Sequence, residues 1–205
     1  MKLYYSPGAC SLAVHIALRE TGLPFELVAA PTRTHQLADG TDYHTINPLG
    51  YVPLLELADG TRLTEVPALL QYVADQAPAR ALAPANGTLA RYQLQSRLGI
   101  VSTELHGRFG PLFSPTMPEE VKAAARARIA QRLAWVDAQL ADGAGFGGKD
   151  YSVADIYLFV VTNWTRLTQI DLGPYQNLAA LRERVGARAA VQEAMRAEGL
   201  IKAAA

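Results

Sequence analysis

The sequence has a single cysteine, no excess of charge of either sign and no long apolar run. The 19 Lys and Arg residues balance 19 Asp and Glu residues, and no segment is dense in positive charge. Nucleic-acid binding needs concentrated cationic side chains, so the composition argues against a nucleic-acid partner. No apolar segment reaches the length of a membrane span, and the first residues lack the pattern of a secretory signal peptide. We therefore expect a cytoplasmic protein with no membrane partner.

One cysteine also excludes an internal disulfide and a cysteine-based zinc site. The four histidines show no metal-ligand spacing, so we expect no metal site. With 205 residues, of which 50% are hydrophobic, the chain is long enough to bury the core of one large domain or of two small ones.

The first 78 residues alternate between strand and helix patterns. A strand is predicted over residues 2–5, a helix over 11–21 and a second strand over 25–28, which makes a βαβ unit. A polar segment, 31–42, predicts irregular structure with a short helix. A strand over 52–57, a hairpin signal at Asp59-Gly60, a strand over 62–64 and a helix over 65–77 follow. The pattern predicts a βαβ-ββα domain of the α/β class over residues 1–78.

The composition changes near residue 80, where strand patterns stop. Residues 79–87 are predicted to be a linker, and residues 88–205 an all-helical domain with helices over 88–113, 119–140, 151–168, 175–185 and 190–197. Thr116 is placed to cap the second of these helices. Ser152 and Asp155 have the spacing of a capping box at the start of the third.

Cys10 lies where the first predicted helix begins. Unpaired N–H groups and the helix dipole stabilise a thiolate at that position, which predicts a lowered pKa and a reactive sulfur. The alternative is an inert, buried packing residue. His106, on the long helix of the second domain, is a candidate partner, because Cys–His pairs are commonly distant in sequence. Its alternative is an ordinary surface histidine.

A second candidate site lies where the helix over 65–77 begins. Backbone N–H groups at a helix start bind carboxylates, and Glu65 at the same place could bind an ammonium group of a ligand. The alternative for Glu65 is a favourable interaction with the helix dipole alone.

Six segments together carry a family resemblance that covers the whole chain: residues 1–11 (MKLYYSPGACS), 42–53 (DYHTINPLGYVP), 59–65 (DGTRLTE), 70–75 (LQYVAD), 103–106 (TELH) and 152–159 (SVADIYLF). The chain resembles the bacterial, cysteine-containing beta class of glutathione S-transferases. The resemblance implies a thioredoxin-like N-terminal domain, an all-α C-terminal domain and a homodimer. It also implies a detoxification enzyme that uses glutathione as co-substrate and holds no permanently bound cofactor.

The resemblance further implies a set of glutathione-binding residues. The backbone of Val52, ahead of a cis-proline, would pair with the cysteinyl part of glutathione. Glu65 and the N–H of Val66 would hold its γ-glutamyl end. The catalytic residues Cys10 and His106 would approach the glutathione sulfur. The remaining contacts would come from His35, on the glycyl carboxylate, and from Thr103 and Glu104, in one subunit or the other.

Other classes of the family use tyrosine or serine in place of cysteine, and Tyr5 and Ser11 both stand near the predicted site. We take Cys10 as the residue beside the sulfur, with Ser11 as the alternative. Three departures from the beta-class pattern predict weaker glutathione binding. His35 stands where lysine is frequent, Val66 replaces a small or hydroxyl residue, and Gly99 replaces asparagine.

The function that follows from the resemblance is conjugation of the glutathione thiolate to small hydrophobic electrophiles. Two alternatives stay open at this point. One is a glutathione-dependent thiol-disulfide reductase or peroxidase that works through Cys10. The other is a non-catalytic member of the fold that binds a ligand or a partner.

Overall fold

The computed structural model describes residues 1–202. The chain divides into two compact units, which we describe separately. Among the described residues, the first comprises Met1–Ala81 and residues 188–202, and the second is Leu82–Ala187. The sequence placed everything after residue 87 in the helical domain. The structure instead groups the last helix with the sheet, because that helix packs against the first helix of the chain.

The first unit is built on a four-stranded sheet. Its strands are β1 (Lys2–Tyr5), β2 (Glu26–Ala29), β3 (Leu54–Glu56) and β4 (Arg62–Thr64), in the order β2-β1-β3-β4. β1 pairs with β2 in parallel, and the β1–β3 and β3–β4 pairs are antiparallel. The predicted βαβ-ββα pattern and thioredoxin-like sheet are confirmed. β3 is shorter than the predicted strand, since Pro53 has no N–H to donate to a ladder.

The first unit also contains three helices: α1 (Ser11–Thr21), α2 (Val66–Gln76) and α9 (Ala189–Ala197). α1 packs against both α2 and α9. It ends where Gly22 adopts φ 72°, a left-handed conformation that glycine adopts without steric cost. The short helix expected within 31–42 does not form. A single 3₁₀ turn follows instead at Tyr43–Thr45, where the Asp42 carboxylate accepts the N–H of His44.

The second unit is all-helical, as predicted. Its elements are α3 (Leu89–Ile100), a π-helical segment (Val101–His106), α4 (Gly107–Phe113), α5 (Glu119–Gln139), α6 (Val153–Asn163), α7 (Thr165–Thr168) and α8 (Gln176–Gly186). The predicted helix over 88–113 thus contains a six-residue stretch of wider π-helical turns. The predicted helix over 151–168 is divided at Trp164.

α6 is the central helix of the second unit, and its residues from Val153 to Thr162 are all buried. Its capping box is confirmed: the Ser152 hydroxyl accepts the N–H of Ala154, and the Asp155 carboxylate accepts the N–H of Ser152. The predicted cap of α5 by Thr116 is wrong. Pro118 occupies the cap position with no side-chain cap, and the acidic first turn of α5 complements the helix dipole instead.

None of the helices described in residues 1–202 combines the length and the apolar character that a membrane crossing requires.

Candidate functional site

The turn between β1 and α1 carries Cys10 and is held by its own side chains. The Ser11 hydroxyl accepts the N–H of Ser6 and donates to the Ser6 carbonyl, both at 3.2 Å. The N–H of Ala9 bonds the same carbonyl at 3.0 Å. Gly8 takes φ 70°. Ser11 is fully buried and its hydroxyl is engaged within the turn, which favours a structural role for it over the alternative role beside a substrate sulfur.

Cys10 occupies the cap position of α1 but makes no side-chain cap to the helix. Its thiol donates to the backbone oxygen of Val52 at 3.2 Å. Burial raises the pKa of the Cys10 thiol to about 12, with the nearby Glu65 carboxylate adding to the rise and the N–H groups of Cys10 and Ser11 opposing it. The predicted lowering of this pKa is therefore wrong, because desolvation outweighs the helix terminus. At neutral pH Cys10 is a protonated hydrogen-bond donor.

Val52, which accepts from Cys10, precedes Pro53 in a cis peptide, the isomer implied by the family resemblance. Tyr51, the residue before Val52, is held through its carbonyl oxygen. Both the Tyr43 hydroxyl and the Asn47 amide donate to the Tyr51 carbonyl, at 2.9 and 2.7 Å. These bonds hold the Val52 backbone beside the Cys10 turn.

Glu65 is the residue that precedes α2, and its conformation is unusual. Its φ is 70°, which lies in a backbone conformation that costs a non-glycine residue free energy. Residues in such conformations cluster at functional sites. The side chain is exposed, and within residues 1–202 its carboxylate makes no hydrogen bond or ion pair. Val66 opens α2 and is buried, so its backbone N–H is the group it can offer to a ligand.

His35 lies in the loop between β2 and β3, with φ 52°. Its ring packs on that of His44 with centroids 4.4 Å apart. Its Nδ1 is buried and has no hydrogen-bond partner among residues 1–202. His44 in turn contacts the Asp42 carboxylate at 2.9 Å. Gly50 lies against both rings, and a Cβ there would come within 2.8 Å of His44 Nε2. The backbone of Gly50 and the two imidazoles therefore pack as one group.

In the second unit, the π-helical segment carries three of the predicted residues. The Thr103 hydroxyl donates to the carbonyl of Gly99, the glycine that departs from the beta-class pattern, at 3.0 Å. Arg132 donates to Glu104 at 2.8 Å, and this bond lowers the pKa of the Glu104 carboxyl. Glu104 and Arg132 line a cavity of about 300 Å³ whose other walls include Arg108 and Arg128. π-helical turns are frequent at functional sites.

His106 ends the π-helical segment and contacts two aromatic side chains. Its Nδ1 is 2.6 Å from the Tyr157 hydroxyl, and its ring meets the edge of Trp164 with centroids 5.0 Å apart. Burial lowers the pKa of His106, so its ring is neutral at pH 7. Sequence reasoning gave Tyr157 no role. The only available signal was its place in the segment 152–159, since 51 residues separate it from His106.

An aromatic cluster adjoins His106 in the same unit. Phe109 stacks on Phe113, and both meet the edge of Trp164, with centroids 5.4 and 5.6 Å from it. Phe113 is 49% exposed while Phe109 is buried. Phe113 is therefore the exposed ring of this cluster.

The predicted site residues thus form two groups, one in each unit. Cys10, Val52 and Glu65 are neighbours in the first, and Thr103, Glu104 and His106 share the π-helical segment in the second. The pairing of Cys10 with His106 stays a prediction. Within residues 1–202, no group of histidine, cysteine and carboxylate side chains is arranged to hold a metal ion.

Comparison with known proteins identifies the family. Residues 8–76 match the family model of the glutathione S-transferase N-terminal domain, and residues 119–185 match that of the C-terminal domain. The chain is 44% identical to glutathione S-transferase GstA of Escherichia coli O157:H7, over 98% of this chain and all of that protein.

Solved structures agree with the family models. The chain is 55% identical to BphK, a bacterial glutathione S-transferase solved as a ternary complex, with a TM-score of 0.95. It is 48% identical to a beta-class glutathione S-transferase of Sphingomonas chungbukensis, also with a TM-score of 0.95. Both comparisons cover 98% of this chain and all of the other. The chain belongs to the glutathione S-transferase family, in its bacterial beta class.

Proposed function

We propose that this glutathione S-transferase conjugates the glutathione thiolate to small hydrophobic electrophiles, with Cys10 as a hydrogen-bond donor to the glutathione sulfur. The bond from Cys10 to the carbonyl of Val52 carries this proposal. A buried, protonated thiol can donate to an anionic sulfur but is a poor nucleophile itself, because the thiolate is the reactive form. Glutathione then supplies the attacking sulfur.

The groups around Cys10 fit the rest of the tripeptide. The backbone of Val52 lies next to the thiol and can pair with the cysteinyl residue of glutathione. The Glu65 carboxylate has no partner within residues 1–202 and matches the ammonium of the γ-glutamyl group. The N–H of Val66 at the start of α2 matches the carboxylate of the same group. His35, with its unsatisfied Nδ1, is assigned to the glycyl carboxylate.

The second unit supplies the remaining roles in this proposal. Neutral His106 offers a ring nitrogen as a further hydrogen-bonding group for the glutathione sulfur, and its ring is oriented by Tyr157. Phe113, exposed beside Trp164, provides an apolar surface for a planar electrophile. We assign Thr103 and Glu104 to glutathione in a homodimer. We place the enzyme in the cytoplasm, in detoxification, with glutathione as co-substrate and no resident cofactor.

The direct test is conjugation of glutathione to a chloronitroarene by the purified protein, followed by absorbance. We expect conjugation, and its absence would contradict the proposal. Replacing Cys10 with alanine separates this route from a thiol-disulfide route. Conjugation survives if glutathione is the nucleophile, whereas a mixed disulfide with residue 10 requires the cysteine sulfur.

A thermal shift separates an enzyme that binds glutathione from a member of the fold that does not. Millimolar glutathione should raise the melting temperature, because a ligand that binds the folded state stabilises it. A melting temperature that does not respond would favour the non-catalytic alternative.

A further inference from the structure

A buried carboxylate from the C-terminal segment reaches the turn that carries Cys10. Glu198, just after α9, has a side chain that is 0% exposed. Its Oε2 accepts the backbone N–H of Gly8 at 2.9 Å, across 190 residues of sequence. The other carboxylate oxygen, Oε1, lies 2.8 Å from Nδ1 of His15, which is also 0% exposed.

The tautomer of a neutral His15 follows from its second hydrogen-bond partner, Arg19. The Nε–H of Arg19 donates to Nε2 of His15 at 2.9 Å. A guanidinium can only donate, so Nε2 is the acceptor and a neutral His15 carries its proton on Nδ1. That proton is then donated to Glu198. Arg19, His15, Glu198 and Gly8 form one chain of hydrogen bonds in which every donor meets an acceptor.

This chain of bonds ends two residues before Cys10. The turn is therefore fixed at two points, at Ser6 by the Ser11 hydroxyl and at Gly8 by Glu198. The Leu200 side chain lies beside Gly8, since a Cβ on Gly8 would meet its Cδ2 at 3.3 Å. A fully buried carboxylate destabilises the fold unless its hydrogen bonds are satisfied. A satisfied buried network holds its members in one geometry, so Glu198 at this turn indicates that Gly8 has to be held in a defined position.

We propose that Glu198 is a positioning residue for the reaction, which acts through Gly8 to hold the Cys10 thiol against the carbonyl of Val52 and so in place for the glutathione sulfur. This inference rests on the proposed function for its catalytic meaning. Its structural part concerns the placement of Cys10 and stands without conjugation activity. Glu198 does not touch glutathione in this proposal and is not a catalytic residue.

The sole cysteine of the chain makes the test specific, because any thiol reagent reports on Cys10 alone. In Glu198→Ala the Gly8 N–H loses its bond to the Glu198 carboxylate and the turn loosens. We expect alkylation of Cys10 by iodoacetamide to accelerate about tenfold, the factor that corresponds to losing one buried charge-assisted hydrogen bond. The KM for glutathione should rise by a similar factor, with kcat changed less.

Arg188→Ala is the matched control. Arg188 binds Glu20 through two bonds, at 2.6 and 3.0 Å, and so ties the start of α9 to α1. If the C-terminal segment has a purely structural role, Glu198→Ala and Arg188→Ala should both raise the alkylation rate of Cys10, each in proportion to its loss of melting temperature. Positioning through Gly8 predicts that Arg188→Ala leaves the alkylation rate and the KM within about twofold of wild type.

Glu198→Asp guards against a variant that fails to fold. It keeps the charge but withdraws the carboxylate by one methylene, so it cannot reach Gly8 and His15 as Glu198 does. We expect faster alkylation in this variant too, at a temperature where circular dichroism shows it to be folded. The proposal is overturned if folded Glu198 variants alkylate at the wild-type rate, or if Arg188→Ala matches them. Alkylation of Cys10 needs no substrate. If the wild-type protein has no conjugation activity, the proposed function is contradicted, but the alkylation rates still test the positioning role of Glu198.

Discussion

The thiol of Cys10 donates to the backbone oxygen of Val52 at 3.2 Å, inside a site where burial raises the pKa of that thiol to about 12. The bond joins the start of α1 to the residue ahead of the cis-proline, so one hydrogen bond connects two parts of the predicted glutathione site. A bound thiolate would be a better acceptor for this proton than a carbonyl, because charge-assisted hydrogen bonds are stronger.

Replacement of Cys10 should weaken conjugation according to the donor that remains. Cys10→Ala removes the donor to an anionic sulfur, a loss of about 1.5–3 kcal/mol, so kcat/KM should fall by at least about tenfold without being abolished. Cys10→Ser keeps a hydroxyl donor and should fall less. Steady-state kinetics with a chloronitroarene measure both. Complete loss of activity in both variants would instead make Cys10 the nucleophile.

Glu65→Gly should stabilise the protein while it damages glutathione binding. Glycine tolerates the φ of 70° at this position, so the free energy of unfolding should rise by about 1 kcal/mol. Loss of the carboxylate should raise the KM for glutathione about tenfold. Urea unfolding and steady-state kinetics measure the two effects.

The control for this variant is Glu65→Gln, which keeps the strained backbone and removes only the charge. It should raise the KM without any gain in stability. Wild-type KM values in both variants would show that Glu65 serves the helix dipole alone.

Acid should destabilise the folded protein partly through His106. Burial lowers the pKa of His106 in the folded state below the ordinary histidine value of 6.5. As the pH falls below 6.5, His106 therefore takes up a proton in the unfolded chain before it does so in the folded protein. The free energy of unfolding therefore declines from about pH 6.5 downward, until the folded state also binds the proton. Urea unfolding at about pH 7.5 and about pH 5.5 should show a smaller decline in His106→Gln than in wild type. Equal declines would mean that His106 takes up its proton equally well in both states.

The capping box of α6 should give two separate losses of stability. Ser152→Ala removes the cap on the Ala154 N–H and should cost about 1 kcal/mol. Asp155→Ala should cost about 3 kcal/mol, because it leaves the buried N–H groups of Phe146 and Ser152 without their acceptor. Asp150→Ala, at an exposed position in the same loop, should change the free energy of unfolding by less than about 0.5 kcal/mol. A loss in Asp150→Ala as large as that in Asp155→Ala would assign the effect to general loop charge.

Local signals account for most of the predictions that the structure confirms. The hairpin at Gly60, the end of α1 at Gly22 and the capping box at Ser152 each depend on residues within a few positions of one another. Such interactions are visible in the sequence because their geometry is set by the local backbone. The candidate site residues were likewise predicted from short sequence motifs.

Features that depend on contacts between distant residues were missed. The period of the last helix indicates an apolar face but not the surface that it covers. The last helix was therefore predicted as part of the helical domain, whereas it groups with the first unit. The π-helical turns at Val101–His106 leave no compositional mark. The pairing of His15 with Glu198 spans 183 residues, and the raised pKa of Cys10 reflects burial, which only the folded chain defines.

The ultraviolet absorbance of a thiolate, followed against pH with and without glutathione, tests most directly whether the reacting sulfur belongs to glutathione. Because the pKa of Cys10 is about 12, the free protein should show no cysteine thiolate at neutral pH. Glutathione should add a thiolate band with a midpoint below about 8.5, the ordinary pKa of a thiol, and the band should persist in Cys10→Ser. A band in the free protein that disappears in Cys10→Ser, or no band when glutathione is added to wild type, would contradict the role given to Cys10.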